Sequence, residues 1–142
     1  MTDPDSALVS IVMPTYNCGG FIAESIESAI AQTYPDWELI IIDDQSTDDT
    51  ETVVGRIADV DPRVKYHRLE KNSGAAVART RGMELAAGRY IAFLDSDDLW
   101  APDKLERQLA FLRDSGGNIA CTAYDQVDEQ GRPLGKVLQP KR

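Results

Sequence analysis

The sequence predicts an α/β fold: a Rossmann-like, mostly parallel sheet flanked by helices. Three observations predict it. Short aliphatic runs recur along the chain, a turn-prone loop follows each run, and amphipathic segments of helical period separate them. Right-handed crossovers place such helices on both faces of the sheet. Ligands bind beyond the carboxyl ends of the strands in this fold class, so a site is expected in the loops there.

Two strand–helix pairs are predicted in the first half of the chain. The apolar run at residues 8–13 stops at Pro14 and indicates a buried strand. Residues 21–33 carry isoleucines at a spacing of four and predict an amphipathic helix. The aliphatic run at residues 39–42 suits a strand buried on both faces. Ser46 and Asp49 then resemble a capping box for a second helix.

The alternation continues in the second half. VKYHRL is a strand, NSGAAVARTRGMELAAG is a helix ending at Gly88, and RYIAFL is a buried strand. A helix is predicted from Pro102 to Ser115, IACTAY is a further strand, and the last stretch is a turn with an edge strand. Residues 1–142 are thus expected to form one partial domain, with flexible ends at 1–7 and 136–142.

Composition excludes several classes of function. The formal net charge is −9 and no cluster of Lys or Arg occurs, which argues against a nucleic-acid-binding surface. The two cysteines are far apart and form no C-x-x-C pattern, so a reduced, cytoplasmic location is expected. The acidic N-terminus is no secretory signal, and the apolar runs are shorter than the ~20 residues of a membrane-spanning helix. Peripheral attachment to a membrane stays open.

Acidic residues gather at two predicted strand ends. Asp43 and Asp44 follow one aliphatic run, and Asp95, Asp97 and Asp98 follow another. Two carboxylates about 4 Å apart repel by ~4 kcal/mol at an effective dielectric of 20, so crowding them requires a cation or raised pKa values. Hard oxygen ligands select Mg²⁺ or Mn²⁺. The alternative is that some of these acids only cap a helix or face solvent.

Four segments in this order resemble the family-two glycosyltransferases, which have a GT-A fold. The segments are SIVMPTYN, ELIIIDDQSTDDT, NSGAAVARTRG and ELAAGRYIAFLDSDDLWAPDKLE, and the resemblance extends over about residues 8 to 125. Each is moderately specific alone, and their order on the predicted strand ends makes the combination strong. The resemblance implies the part of a transferase that binds a nucleotide sugar.

The resemblance implies roles for individual residues near the nucleotide. The PTYN loop would pack against the base, with Tyr16 beside the ring and Thr15 and Asn17 nearby, and Asp44 would accept a hydrogen bond from the base. Uracil is the expected base, and a carboxylate suits it because uracil offers an N–H at its pairing edge.

The resemblance also implies how the diphosphate is held. Asp95, Ser96 and Asp97 match the D-x-D motif, in which Asp95 lies toward the ribose and Asp97 binds Mn²⁺ or Mg²⁺, with Asp95 as a second metal ligand. Arg79, favoured over Arg81, would pair with a donor phosphate. Asn72 and Gly74 match the N-x-G loop of the family, although a plain helix start explains both equally well.

The implied reaction is an inverting transfer from a UDP-sugar to an unknown carbohydrate or lipid-linked acceptor, in the synthesis of a polysaccharide or other glycoconjugate. The general base of such an enzyme is expected beyond Arg142. A non-catalytic nucleotide-sugar-binding module is the main alternative. A haloacid-dehalogenase-like phosphatase with Asp95 as nucleophile is a remote one, because Leu99 departs from that motif. An exposed sheet edge would allow a homo-oligomer.

Overall fold

The computed structural model describes residues 6–139, which form two compact units divided between Pro102 and Asp103. Residues 1–5 and 140–142, which belong to the ends expected to be flexible, lie outside the described residues. The elements are β1 Val9–Thr15, α1 Ile22–Ile30, β2 Trp37–Asp43, α2 Thr50–Ala58, β3 Val64–Arg68, α3 Ala75–Leu85, β4 Tyr90–Phe93, α4 Lys104–Ser115, β5 Tyr124–Val127 and β6 Pro133–Leu138.

The first unit is built on a four-stranded parallel sheet in the order β3-β2-β1-β4. Every residue of β1 and of β2 is buried. Because neighbouring side chains of a strand point to opposite faces, both faces of this sheet are covered in its centre. The predicted α/β fold with a parallel sheet is therefore confirmed.

Helix α3 packs on β1 and β2 through small residues. Ala78 is fully buried against Ile40 and Ile42 of β2. At Gly82 an added Cβ would lie 2.3 Å from Cγ1 of Val12, a buried residue of β1. The helix therefore approaches the sheet closely only because position 82 has no side chain.

A buried carboxylate ties the amino end of the sheet together. Glu38 on β2 accepts hydrogen bonds from the Ser10 hydroxyl at 2.6 Å, from the Ala87 amide at 2.9 Å and from Lys65 Nζ at 2.6 Å. The Ser10 hydroxyl also accepts from the Gly88 amide at 2.8 Å. Burial raises the pKa of Glu38, but the hydrogen bonds from Lys65, Ser10 and Ala87 outweigh burial and leave that pKa below its ordinary value.

Two expectations for the region of β4 are wrong. Helix α3 ends at Leu85 and not at Gly88, because Gly88 lies against the backbone of Leu8 and Ser10, where the chain has already turned toward β4. Strand β4 is not fully buried, since Ile91 and Phe93 are exposed. Ile91 and Phe93 point to the same face of β4, so that face is uncovered at this end strand of the described sheet. Sequence hydrophobicity does not reveal which face is covered.

The second unit differs from expectation in its strands. The apolar residues 119–123 are not in a strand; instead β5 begins at Tyr124 and pairs antiparallel with β6. The turn at Asp128 sets this register, because Asp128 accepts from the Arg132 amide at 2.9 Å and Gly131 adopts a positive φ of 77°. Helix α4 begins at Lys104, two residues after Pro102, and ends at Ser115, followed by Gly116 in a left-handed conformation with φ 65°.

Within residues 6–139, none of the helices has the length and apolar character needed to cross a bilayer.

Adding a methyl group at Gly82 should separate α3 from the sheet. We expect Gly82→Ala to lower the free energy of unfolding by about 1–3 kcal/mol, because the new Cβ overpacks the buried Val12 side chain. Gly55→Ala is the matched control within α2, where an added Cβ meets no described atom within 4 Å. It should raise stability by about 1 kcal/mol through helix propensity. Denaturant unfolding of both variants tests this, and equal effects would contradict the close approach of α3.

The Glu38 network should make stability depend on pH. Because the pKa of Glu38 is lowered from its ordinary value of 4.5, its contribution is present above that pH and lost as the pH falls below it. The difference in free energy of unfolding between the wild type and Glu38→Gln should therefore be largest at neutral pH and shrink in acid. Glu27→Gln, at an exposed position of α1, is the control. If the difference in free energy of unfolding between the wild type and Glu38→Gln stayed constant down to the acid transition, the Glu38 network would not be the cause of that difference.

Candidate functional site

The site lies at the carboxyl edge of the parallel sheet. From β1 the chain passes through α1 to β2 on one side, whereas β4 lies on the other side, so the strand order reverses between β1 and β4. A crevice forms at such a switch point. A cavity of about 200 Å³ is found there, lined by Pro14, Thr15, Tyr16, Cys18, Asp44, Ala75, Ala78, Arg79, Asp95, Ser96 and Asp97.

The end of β1 contributes an aromatic ring to this cavity, next to a buried threonine. Thr15 is 4% exposed, and among the described residues its Oγ1 has no hydrogen-bond partner. Tyr16, the next residue, is 49% exposed. A buried hydroxyl without a partner costs free energy unless a ligand or water satisfies it. The exposed ring is therefore available to a molecule in the cavity, whereas the Thr15 hydroxyl is enclosed by the protein.

The end of β2 contributes Asp44, and its carboxylate organises the loop before α3. Its two oxygens accept from the Ser73 amide at 2.6 Å and the Gly74 amide at 2.8 Å. The Asn72 side chain donates to the Asp44 carbonyl at 3.0 Å. Gly74 has a φ of 91°, which a residue with a Cβ rarely adopts. Asn72 and Gly74 thus shape the loop around Asp44, and neither is among the residues that line the cavity.

The end of β4 contributes the acidic loop. Arg79 on α3 donates to Asp95 at 2.9 Å, and both side chains are partly exposed. Ser96 is buried, while Asp97 is exposed. Partial burial, and then the charges of Asp97 and Asp95, raise the pKa of Asp98. Like-charge repulsion from Asp97 and Asp95 is thus a secondary cause of the raised pKa of Asp98, after burial.

The two acidic clusters converge only in part. Asp44, Asp95 and Asp97 line one cavity, whereas Asp43 is fully buried away from it. Of the two arginines on α3, Arg79 lines this cavity, and Arg81 pairs with Glu84 in a separate groove beside Leu69. This separation is what their spacing on a helix predicts.

The expected capping box is wrong. Helix α2 begins at Thr50, and the Thr50 amide donates to the Asp48 carboxylate at 3.0 Å. The capping side chain is therefore that of Asp48 and not that of Ser46 or Asp49. The hydrogen bond from the Thr50 hydroxyl is the main cause of a lowered pKa for Asp48. Ser46 is drawn instead toward Asp43, to which it donates through both its amide and its hydroxyl.

Sequence reasoning missed the network around Asp43. Besides Ser46, this carboxylate accepts from the Tyr66 hydroxyl and lies 3.9 Å from Arg68 Nη1. The register Asp43↔Arg68 of β2 and β3 brings these residues together. Strand pairing is not visible in the sequence, so the acidic dipeptide was the only available signal.

The acidic loop suits a divalent cation whose ligands come partly from the protein and partly from a phosphate of the substrate. Among the described residues, no three His, Cys, Asp or Glu side chains are grouped so as to hold a metal ion. Asp95 and Asp97 nevertheless offer two carboxylates to an open cavity. Mg²⁺ is commonly held by one or two carboxylates together with substrate phosphates and water. The donor set is therefore suitable for a metal only when a phosphate completes it.

The sequence of the chain matches a known family along most of its length. The family model for glycosyl transferase family 2 matches residues 10–141. Among curated proteins, the "Putative teichuronic acid biosynthesis glycosyltransferase TuaG" of Bacillus subtilis is 44% identical over 131 residues. That match covers 92% of this chain and 52% of the relative. The chain thus spans about half the length of this relative.

Solved structures agree with the sequence match. TarS 1–349 of S. aureus in complex with UDP-GlcNAc aligns with a TM-score of 0.70 and 32% identity, covering 75% of this chain and 31% of that chain. A mannosyltransferase from Pyrobaculum calidifontis in complex with GDP-Man and Mn²⁺ aligns with a TM-score of 0.71 and 27% identity, covering 87% and 36%. The fold is that of the GT-A glycosyltransferases, and the chain belongs to glycosyl transferase family 2.

Proposed function

We propose that this chain binds a nucleotide diphosphate sugar in the cavity at the switch point. The protein would transfer the sugar, with inversion, to an acceptor hydroxyl in the synthesis of a polysaccharide or other glycoconjugate. The observation that carries the proposal is the composition of the cavity. An exposed aromatic ring from the end of β1, the Asp44 carboxylate from the end of β2 and an arginine–carboxylate pair from α3 and the loop after β4 meet there.

The side of the cavity near β1 and β2 suits a nucleotide base. The Tyr16 ring offers a flat apolar surface for stacking. Each Asp44 oxygen accepts one backbone N–H and keeps a second lone pair, so the carboxylate can also accept from the single N–H on the pairing edge of uracil. The likeness to TarS, whose structure holds UDP-GlcNAc, supports uridine as the nucleoside.

The side near β4 suits a diphosphate. Asp97 and Asp95 would hold Mn²⁺ or Mg²⁺, which supplies charge neutralisation for the leaving nucleotide diphosphate. Arg79 adds a guanidinium whose planar fork matches phosphate oxygens, and its contact with Asp95 keeps it at the cavity wall. The likeness to a mannosyltransferase with bound Mn²⁺ supports a metal-dependent donor site.

The same observations bear on two alternative functions, a phosphatase and a module that binds a nucleotide sugar without transferring it. A phosphatase with Asp95 as nucleophile is disfavoured, because the chain belongs to a transferase family and Arg79 already pairs with that carboxylate. A module that binds the nucleotide sugar without transferring it is consistent with the cavity. Since the chain spans about half of its curated relative, we assign donor binding to this chain and sugar transfer to the protein as a whole.

Removing the Asp97 carboxylate should abolish the metal-dependent part of nucleotide binding. We expect the wild-type chain to bind UDP more tightly with Mn²⁺ than without it. Asp97→Ala should bind about tenfold or more weakly in Mn²⁺, with little change in its absence, because a charge-assisted contact of about 1.5–3 kcal/mol is lost. Isothermal titration calorimetry of both chains, with and without Mn²⁺, measures this.

Asp59→Ala is the control for the loss of one carboxylate, because Asp59 is exposed at the end of α2 and lies outside the cavity lining. It should bind UDP with Mn²⁺ as the wild type does. A folded wild-type chain that binds no UDP at all would overturn donor binding. Wild-type binding that is indifferent to Mn²⁺ would overturn the metal assignment alone.

A further inference from the structure

Three consecutive backbone amides after Tyr16 donate to side chains of the loop between β2 and α2 and of the first residue of α2. The Asn17 amide donates to the Ser46 hydroxyl at 2.8 Å. The Cys18 amide donates to the Thr50 hydroxyl at 3.1 Å, and the Gly19 amide donates to Asp48 at 3.0 Å. The loop that carries the exposed Tyr16 ring is thus fastened to its neighbour along its length.

The Asn17 side chain reinforces this attachment from the other direction. Its amide oxygen accepts from the Thr47 amide at 2.7 Å and the Asp48 amide at 3.3 Å. Asn17 also has a positive φ of 49°, an uncommon conformation that persists only where the surroundings impose it. Because its oxygen is engaged in the loop, Asn17 acts on the cavity by shaping the backbone next to Tyr16.

Ser46 connects this loop to the buried carboxylate of β2. Its hydroxyl donates to Asp43 at 2.6 Å while accepting from Asn17, and Ser46 is 2% exposed. Asp43 is held in turn by the Tyr66 hydroxyl and by Arg68. Burial, followed by the hydrogen bond to Asp43, raises the pKa of Tyr66, so its hydroxyl stays protonated and remains a donor. A fixed anchor in the sheet therefore determines where the Asn17 backbone lies.

We infer that Ser46 is a positioning residue of the nucleotide site: its hydroxyl, anchored on Asp43, sets the place of the Tyr16 ring without touching the ligand. The inference rests on the proposed function, because it assigns Tyr16 to the nucleotide base. Neither Ser46 nor Asp43 lines the cavity, so both act through the loop. Removing the hydroxyl leaves the Asn17 amide without its acceptor and frees the strained backbone beside Tyr16.

The chain contains a closely matched control for this hydroxyl. Ser10 is also buried, and its hydroxyl also donates to a carboxylate at 2.6 Å and accepts from a backbone amide at 2.8 Å. Those partners are Glu38 and Gly88, at the amino end of the sheet. Ser46→Ala and Ser10→Ala therefore remove the same kind of hydrogen-bonded group from opposite ends of one sheet.

The test compares the binding of two ligands to the 142-residue chain by calorimetry in Mn²⁺. One ligand is UDP, and the other is inorganic pyrophosphate, which would engage the acidic loop with its cation and Arg79 but has no base to stack on Tyr16. Ser46→Ala should weaken UDP binding about tenfold and leave pyrophosphate binding within about twofold of the wild type. Ser10→Ala should leave both affinities within about twofold, although both variants lower the melting temperature. Hydrogen exchange at the Asn17 amide, without ligand, should accelerate only in Ser46→Ala.

The outcomes separate this inference from the proposed function. A wild-type chain that binds no UDP overturns the proposed function and, with it, the assignment of Tyr16 to the base. If the wild type binds UDP and Ser46→Ala binds it equally well, only the positioning role of Ser46 is overturned. Equal losses in Ser46→Ala and Ser10→Ala, or a parallel loss of pyrophosphate binding, would also overturn it, because the effect would then be one of general stability.

Discussion

The position of β1 between β2 and β4 is the constraint on which the rest of the site depends. The pairing of β1 with β2 runs through seven residues and ends at Thr15↔Asp43, and β4 pairs with the other side of β1 from Val9 to Val12. All three strands therefore end at the same edge of the sheet. Thr15, the last residue of β1, and Tyr16 after it therefore lie between the acidic residues that follow β2 and those that follow β4. The cavity is a consequence of this strand order before any side chain is considered.

The sheet uses the same device at both of its ends. At the amino end a buried serine bridges Glu38 to the backbone after α3, and at the carboxyl end a buried serine bridges Asp43 to the backbone after β1. Buried carboxylates are tolerated when hydrogen bonds and nearby cations compensate for lost hydration. Both carboxylates belong to β2, so this strand fastens a loop at each end. The amino-end attachment supports the fold, and the carboxyl-end attachment adjoins the cavity.

The sequence predicted the central strands well because β1 and β2 are buried on both faces. Such strands appear in the sequence as continuous runs of mainly apolar residues. Tyr16, Asp44, Arg79 and Asp97, which the sequence placed near a nucleotide, all line the cavity, and their roles there stay a prediction. The sequence could not distinguish Asp43 from Asp44, because adjacent residues at a strand end point in opposite directions and the sequence does not say which direction is buried. Strand order and register were equally invisible to it. The exposure of β4 and the contact between Tyr66 and Asp43 therefore appeared only in the structure.

Within the proposed nucleotide site, the distribution of charge assigns affinity for the diphosphate and selectivity for the nucleoside to different residues. Asp44, Asp95 and Asp97 line the cavity, and Arg79, the one basic side chain among the lining residues, already pairs with Asp95. A diphosphate entering such a cavity meets net negative charge, so its affinity depends on a cation that it brings or recruits. A cation attracts any diphosphate and does not discriminate between nucleosides. Selectivity must therefore come from the base side, where stacking and a single carboxylate act at short range and require a fixed ring. Because selectivity in such a site depends on the position of the Tyr16 ring, the site requires a loop held in place, and the hydrogen bond from the Asn17 amide to Ser46 holds it.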